Sequence, residues 1–565
     1  MPQAPGMTAM DYREHWHASS RYTVFDSRHG GGADVRVLAD VWRTDPQRPP
    51  HLHLIAVCDH LQPGFHRFPQ AEPGLTVDLV NAPVETALAQ LVGRVDLFRL
   101  VGLEHAGTGF ARPLARVAAA NARLLGHGLT GEQVAALQAQ GFVFEPGTQR
   151  ARFASRKPRP PLPPAPERRA VVLGAGIAGC AAAERLCARG WQVTLVERHA
   201  RPAMEASGNR AGIFMPLLSK DDNVPTRLTR AAFLFALRHW ERLGGIGRAI
   251  DGAACGVLQL ARDADHAAVS REIAASGAVP ADFAEWLEAP RAEALLGLPA
   301  PDGGWLFRQG GWARPGSVCD ALVAACGARL EQRFGVGDVA IERADGQWQV
   351  RGAAGNLVAH APNLVLANGA GAIRIPQAAA LPLTAMRGQV SHVPAEMLPA
   401  LPVVLCREAY LTPPSGGVCS AGATYDADPD PALSPASHAE NLERLRGLLS
   451  DPRAAAGAPL QGRVGFRCIA PDRLPLVGRL PDFDAAGTTE RLRDVPRHPG
   501  LYALLGYASR GLIWAGLGAE LLAAQIEGEP LPLEANLVDA LDPARFVLRA
   551  RRSPRGPRGV ASAEL

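Results

Sequence analysis

Gly174, Gly176 and Gly179 stand in G-x-G-x-x-G spacing, and the acid Glu197 follows eighteen residues after the last of them. Each residue type has its own use. The first glycine permits a tight turn, the second lets backbone approach a pyrophosphate, and the third lets a helix lie close against a strand. An acid at the later position can accept hydrogen bonds from ribose hydroxyls. That chemistry needs a frame, and the flanking residues supply one. Ala170, Val171, Val172 and Leu173 read as a buried strand, an Ala-rich helix follows the glycines, and Val193 to Val196 read as a second strand. The phosphates of a dinucleotide would then sit on the helix N-terminus.

The chain of 565 residues is long enough for two or more domains, each with its own core. A formal charge of +4 is small for that length and excludes a general polyanion binder. Lys157 and Lys220 are the only lysines, so nearly every cation is an arginine, whose fork suits phosphate and carboxylate. A GC-rich genome would leave the same bias. Nine cysteines are scattered without a C-x-x-C pair, which fits a reducing cytosol and offers no disulfide framework or metal site. The N-terminal residues lack the apolar run of a signal peptide, and the apolar stretch 501–526 is broken by Arg510 and several glycines. These features predict a soluble, cytoplasmic protein with no membrane segment.

Residues 156–169 begin RKPRPPLPPAPER, whose prolines remove donors and fix φ, so they read as a semi-rigid linker. They separate a domain over 1–155 from one over 170–546, and the basic, proline-bearing tail 547–565 is expected to be disordered. In the first domain Tyr22–Phe25, His51–Val57, Thr76–Val80 and Asp96–Val101 read as strands. Helical patterns cover 83–92, 111–125 and 130–140. This alternation predicts a parallel α/β sheet. Gly30, Gly31 and Gly32 follow its first strand and Asp59 ends its second, where a nucleotide-type ligand could bind.

Beyond Glu197 an ordered series follows: EASGNRAGIFMPLLSKDDN (205–223), an amphipathic helix (226–243), RPGSVCDALVAAC (314–326) and LVLANGAGA (364–372). RGQVSHV (387–393), GATYDAD (422–428), GFRCIAPDRLPLVG (465–478) and LLGYASRGLIWAGLGAELLAAQI (504–526) complete it. The series resembles the D-amino-acid oxidase/glycine oxidase class of FAD enzymes. More closely, it resembles the family of bifunctional tRNA 5-methylaminomethyl-2-thiouridine biosynthesis (MnmC) proteins. The resemblance implies an α/β fold with an FAD-binding Rossmann domain of the glutathione-reductase/D-amino-acid-oxidase type and a mixed-sheet substrate subdomain. It implies FAD contacts at Gly174, Gly176, Gly179, Glu197, Arg198, Ser207, Gly208, Asn209, Val339, Gly369, Arg510, Gly511 and Leu512. Arg467 occupies the G-x-R position that grips substrate carboxylate in that class, where a bidentate fork would fix the reacting carbon. A salt bridge to Asp472 is its structural alternative. Tyr425 could bind the same carboxylate or simply line the pocket. Arg387 would lie near the flavin or form an internal ion pair, and His392 is given no role.

The family's first domain is a Rossmann-like methyltransferase that uses S-adenosylmethionine. Here YTVFDSRHGGGADVRVLADVWR (22–43), HLHLIAVCDHL (51–61) and VDLFRLVGLEHAG (95–107) fall at its strand-and-loop segments, with Asp59 as the ribose-binding acid. The departures are larger than the matches. Asp26, Arg28 and His29 stand where small residues should face the cofactor, and Val101, Leu103, Glu104 and His105 replace an acidic DGFAP-like element. The expectation is therefore a retained scaffold that braces the oxidase or touches RNA. If it were active, it would bind S-adenosylmethionine.

The resemblance implies a function on the wobble uridine, position 34, in the anticodon loop of tRNA. FAD-dependent oxidation would remove the carboxymethyl group of 5-carboxymethylaminomethyl-(2-thio)uridine, leaving 5-aminomethyl-(2-thio)uridine. An active first domain would add a methyl group to that amine. Two alternatives stay open: an FAD oxidase of free glycine, sarcosine or D-amino acids, and a non-catalytic FAD-containing tRNA-binding protein. No metal site is expected.

Overall fold

The structure is a computed structural model that describes residues 16–17, 19–28, 33–154, 167–485, 487 and 489–552. The chain divides into two compact units, Met1–Pro166 with Ala523–Val538, and Glu167–Leu522 with Asp539–Leu565. The stretch 523–538 thus groups with the first unit, although the sequence alone assigns it to the second.

The first unit is built on an eight-stranded sheet. Its strands are β1 (Arg21–Asp26), β2 (His51–Val57), β3 (Gly64–Glu72), β4 (Leu75–Asn81), β5 (Val95–Val101), β6 (Ala118–His127), β7 (Phe142–Phe144) and β8 (Arg150–Phe153), in the order β3-β4-β2-β1-β5-β6-β8-β7. β1 runs parallel to β2 and β5, with Val24 paired to Leu54 on one side and Leu97 on the other. The central strands are rich in β-branched and large apolar residues and are covered on both faces, as parallel strands must be. Helices α1 (Ala33–Thr44), α2 (Val84–Gln90), α3 (Ala111–Val117) and α4 (Gly131–Ala139) complete the unit. A capping box at Thr130 and Gln133 fixes the start of α4.

Several expectations change here. The helical pattern read over 111–125 ends at Val117, and residues 118–127 form β6 parallel to β5. Its alanines look helical, but the edge of β5 supplies the partner hydrogen bonds, and tertiary pairing overrides propensity. α1 and β3 were not foreseen. Gly30, Gly31, Gly32, His29 and most of the linker lie outside the described residues.

A buried ionic knot ties 523–538 to this sheet. Asp78 accepts from Arg67 Nε and Nη2, both at 2.7 Å, and lies 2.7 Å from His53 Nε2. Arg67 Nη2 also donates to Pro530 O at 2.7 Å. Arg21 donates to Glu527 O, and Leu531 N–H to Val92 O. Burial works against the charge on Asp78, yet Arg67 and His53 hold its carboxyl below the usual range.

In the second unit β9 (Arg169–Leu173), α5 (Ile177–Cys187) and β10 (Gln192–Val196) form the expected βαβ element. They belong to a six-stranded sheet that also holds Leu330–Arg333, Asn363–Leu366, Leu476–Pro481 and Arg497–Leu505. A separate eight-stranded mixed sheet includes Thr384–Pro394, Val404–Cys406, Tyr410–Leu411, Val418–Gly422 and Gln461–Ile469. The fold is the α/β class expected, a Rossmann-type sheet with a mixed-sheet subdomain. The end of the chain differs: Arg545–Arg552 is helical, so order runs past residue 547, because Arg545 and Arg549 anchor that helix on Asp472. Residues 553–565 lie outside the described residues. Among the described residues, no helix is long and apolar enough to cross a membrane.

Candidate functional site

The three glycines meet different surroundings. Gly174 has φ +103°, and a Cβ there would lie 2.7 Å from Ala367 O. At Gly179 a Cβ would meet Gly174 O at 1.8 Å, so only glycine lets α5 sit this close to the β9 turn. Gly176 differs: a Cβ there would meet, among the described residues, just Ser207 Oγ at 3.3 Å. It caps α5 without a side chain, and Ser207 Oγ accepts from Ile177 N–H at 3.0 Å. Glu197 directly follows β10 and accepts from Ala175 N–H at 2.7 Å and His199 N–H at 3.0 Å. These bonds aim its carboxylate at the mouth of the glycine turn.

A cavity of about 750 Å³ opens over these elements. Gly174, Gly176, Glu197, Arg198, Ser207, Asn209, Val339, Gly369, Arg510, Gly511 and Leu512 all line it. Two expected cofactor residues do not. Gly179 acts from inside α5 through packing, and Gly208 lines a second cavity, where Arg463 Nη2 would stand 2.3 Å from its Cβ. Arg198 pairs with Asp338 beside Val339. Asn368 Oδ1, also on the cavity wall, is buried without a hydrogen-bond partner. A long cavity with an acid at a Rossmann strand end, a helix N-terminus whose first N–H groups no earlier turn can satisfy, and an unsatisfied amide fits a dinucleotide such as FAD.

Arg467 and Tyr425 line the same cavity. Arg467 sits on the strand Gln461–Ile469, and its guanidinium lies over the Tyr425 ring at 4.5 Å. Among the described residues its one hydrogen bond runs from Nη1 to Thr424 O at 3.2 Å. Asp472 is not its partner, because that acid is taken by Arg545 and Arg549. Burial pulls the Arg467 pKa down while Tyr425 and Tyr410 oppose the shift. Gly388 makes room: a Cβ there would overlap the guanidinium. Arg510 reaches the cavity just ahead of the helix Gly511–Glu527, close to Cys406 and Tyr425, and burial lowers its pKa. Half-buried arginines with spare donors can seize a carboxylate and leave its neighbouring carbon in a fixed place.

Tyr410, Cys406 and Gln259 also line the cavity and were missed by sequence reasoning. Burial pushes the Tyr410 phenol up to about 12, with Arg467 pulling the other way. The segment LCREAYL has no motif of its own; only the pairing of Tyr410 with Gly422 brings it to Arg467. Arg387, by contrast, lies outside this cavity. It is buried and donates to Asp430 O at 2.8 Å, Ala432 O at 2.7 Å and Asp426 Oδ2 at 3.2 Å, a structural role.

In the first unit, the carboxyl ends of β1 and β5 are occupied by the chain itself. Asp26 accepts from Arg99 and from Arg28 N–H, and Ser27 and Val101 exchange hydrogen bonds at 2.8 Å. The Arg28 side chain lies against Gly102. Asp59 falls beyond the end of β2 at Val57, and its side chain is fully exposed. Among the described residues no group of His, Cys, Asp and Glu has metal-binding geometry.

The sequence model of the family described as FAD dependent oxidoreductase matches residues 169–525. The tRNA 5-methylaminomethyl-2-thiouridine biosynthesis bifunctional protein MnmC of Azoarcus sp. (strain BH72) is 41% identical over 589 aligned positions, covering 96% of this chain and 92% of that protein. Its namesake from Paraburkholderia xenovorans (strain LB400) is 39% identical, covering 95% and 92%. Among solved structures, glycine oxidase from Geobacillus kaustophilus matches with a TM-score of 0.56 at 20% identity, over 67% of this chain and 99% of that one. Iminodiacetate oxidase from Chelativorans sp. BNC1 matches at 0.53 and 23%, over 64% and 96%. These two likenesses speak for the fold. On this combination of cavity, matched model and near full-length relatives, the chain belongs to the MnmC family, with an FAD-dependent oxidoreductase region spanning most of its length.

Proposed function

We propose that the protein modifies the wobble uridine of tRNA. It removes the carboxymethyl group of 5-carboxymethylaminomethyl-(2-thio)uridine and leaves 5-aminomethyl-(2-thio)uridine. The observation that carries the reading is Arg467, a guanidinium with spare donors set over Tyr425 in the same cavity as the dinucleotide cradle. FAD held there would supply the hydride acceptor for the glycine unit of the modified base, and water would then hydrolyse the oxidised unit to release glyoxylate.

The chain's own groups do the rest. Glu197, the α5 N-terminus and Ser207 hold the cofactor's ribose and phosphates. Arg467 binds the substrate carboxylate through its fork and so positions the carbon that loses hydride. Tyr410 and Tyr425 wall that end of the cavity and limit water. Arg510, ahead of a helix N-terminus, favours negative charge in the same space. The base must leave its stack to enter, since a stacked base could not reach so enclosed a group. A tRNA substrate calls for the cytoplasm.

The first unit serves as scaffold in this reading. Asp26, at the strand tip where a methyltransferase would receive its cofactor, is already engaged by Arg99, and the Arg28 side chain lies against Gly102. The test uses tRNA from cells blocked after the carboxymethylaminomethyl step, incubated with protein, FAD and S-adenosylmethionine and analysed as nucleosides by mass spectrometry. The expected product is the aminomethyl nucleoside. Methylaminomethyl product would overturn the scaffold reading. Unchanged tRNA with turnover of free glycine or sarcosine would replace the substrate, and unchanged tRNA with no flavin reduction by any amine would leave a binding protein.

A further inference from the structure

A second cavity of about 420 Å³ shares Met204 and Asn209 with the first. Among the described residues, Arg201, Arg210, Arg314 and Arg463 line it, and no acidic side chain does. Arg314 is paired with Asp251 outside the lining. Arg463 is spent on the wall, donating to Met204 O at 2.8 Å and Asn209 Oδ1 at 3.3 Å. Arg201 and Arg210 are exposed, and among the described residues neither has a hydrogen bond or ion pair. Gly416 keeps the space beside Arg210 clear, with 3.8 Å between a built Cβ and Nη1. These arginines are felt nearby: His392 is driven down to about 4 by burial first, then by Arg210, Arg463 and His438.

Arg201 and Arg210, two guanidinium forks with no acid paired to them among the described residues, fit a phosphate, whose oxygens accept paired N–H donors. The strand Gln461–Ile469 relates this cavity to the catalytic one. It carries Arg463 and Arg467 four residues apart, on the same face and roughly 13 Å from each other at a strand rise of about 3.3 Å per residue. A polymer with its reactive base at Arg467 must carry its own charged backbone past such a point.

We propose that the arginine-lined cavity binds a backbone phosphodiester of the RNA next to the nucleotide held at Arg467. The proposal rests on tRNA being the substrate. The cofactor's pyrophosphate is the other source of the same chemistry, because Met204 and Asn209 border both cavities.

The test compares FAD-loaded full-length protein with the double variant Arg201→Ala, Arg210→Ala, whose lost side chains hold nothing else in place. Two quantities are measured: affinity for an anticodon stem-loop RNA over a salt series by fluorescence anisotropy, and bound FAD per chain from flavin absorbance. The expected result is a Kd for RNA raised roughly tenfold near physiological salt and a log–log salt slope shallower by about one to two, with FAD content unchanged. The companion variant Arg201→Lys, Arg210→Lys should recover most of the slope, since lysine keeps the charge. Unchanged RNA affinity and slope in the alanine variant, with wild-type protein binding RNA normally, would overturn the proposal alone. Lost FAD with intact RNA binding would also overturn it and assign the cavity to the cofactor. Wild-type protein that ignores RNA would remove the tRNA reading and this proposal with it.

Discussion

Replacing Arg467 by methionine removes the guanidinium fork but keeps much of the side chain's length, so it isolates what the fork contributes. Among the described residues, protein takes one of its donors, for Thr424 O at 3.2 Å. The remaining donors can give a substrate carboxylate two charge-assisted hydrogen bonds, each about 1.5–3 kcal/mol, or roughly 3–6 together. Part of that gain is offset, since the half-buried cation must also be desolvated and burial already lowers its pKa. A net loss near 3–4 kcal/mol is the working figure, which lowers kcat/KM by roughly two to three orders of magnitude. Arg467→Lys keeps a point charge without the fork and should lose about 1.5–2.5 kcal/mol, or roughly ten- to seventyfold. The assay is anaerobic stopped-flow reduction of the bound flavin by tRNA carrying the carboxymethylaminomethyl group. A fall in the limiting reduction rate, beyond a rise in half-saturating tRNA, would show that Arg467 orients the reacting carbon as well as binding its neighbour. An FAD-loaded methionine variant that keeps kcat/KM within threefold of wild type would refute the reasoning.

Gly179→Ala places a Cβ 1.8 Å from Gly174 O, a backbone collision that should cost at least about 3 kcal/mol and empty the flavin site, visible as lost absorbance; an FAD-replete variant with an unchanged melting temperature would contradict the packing role. Asp78→Asn leaves Arg67 buried beside a neutral group and should destabilise the first unit by about 3–5 kcal/mol in urea unfolding. A loss below about 1 kcal/mol would mean that water reaches the knot. His392, pushed down to about 4 in the fold, stays neutral there while the unfolded chain gains a proton near the ordinary value of roughly 6.5. Its contribution is therefore complete above about pH 6.5 and is lost as pH falls towards 4, so stability rises with pH across that window. His392→Asn should show a shallower slope there in denaturant titrations, and identical slopes would sink the assignment.

Much of the catalytic unit is legible in the sequence because its signals are local. Strand, glycine turn, helix, strand and acid follow one another within residues 169–197, and the positions of Gly174, Gly179 and Glu197 each answer to a backbone contact. Arg467 was identified through its motif, but its setting was not, because Tyr410, Cys406 and Gly388 reach it only through sheet pairings far apart in sequence. Residues 118–127 misled for a related reason. AAANARLLGH has helical composition, while its conformation is decided by the free edge of β5. The arginine-lined cavity had no sequence signal at all, since Arg201, Arg210, Arg314 and Arg463 share no spacing. Nor could Arg67 announce that its acceptor is Pro530, more than four hundred residues away.

That last contact has a temporal consequence. The first unit draws on Ala523–Val538, and a ribosome must make the roughly 350 residues of Glu167–Leu522 before that stretch exists. At synthesis rates of about 5–20 residues per second the delay is on the order of half a minute. Throughout it the Arg67–Asp78 pair lacks its Pro530 lid and Arg21 lacks Glu527. The domain that begins the chain is thus completed after most of the other has been made, a reversal of the usual N-to-C order of maturation.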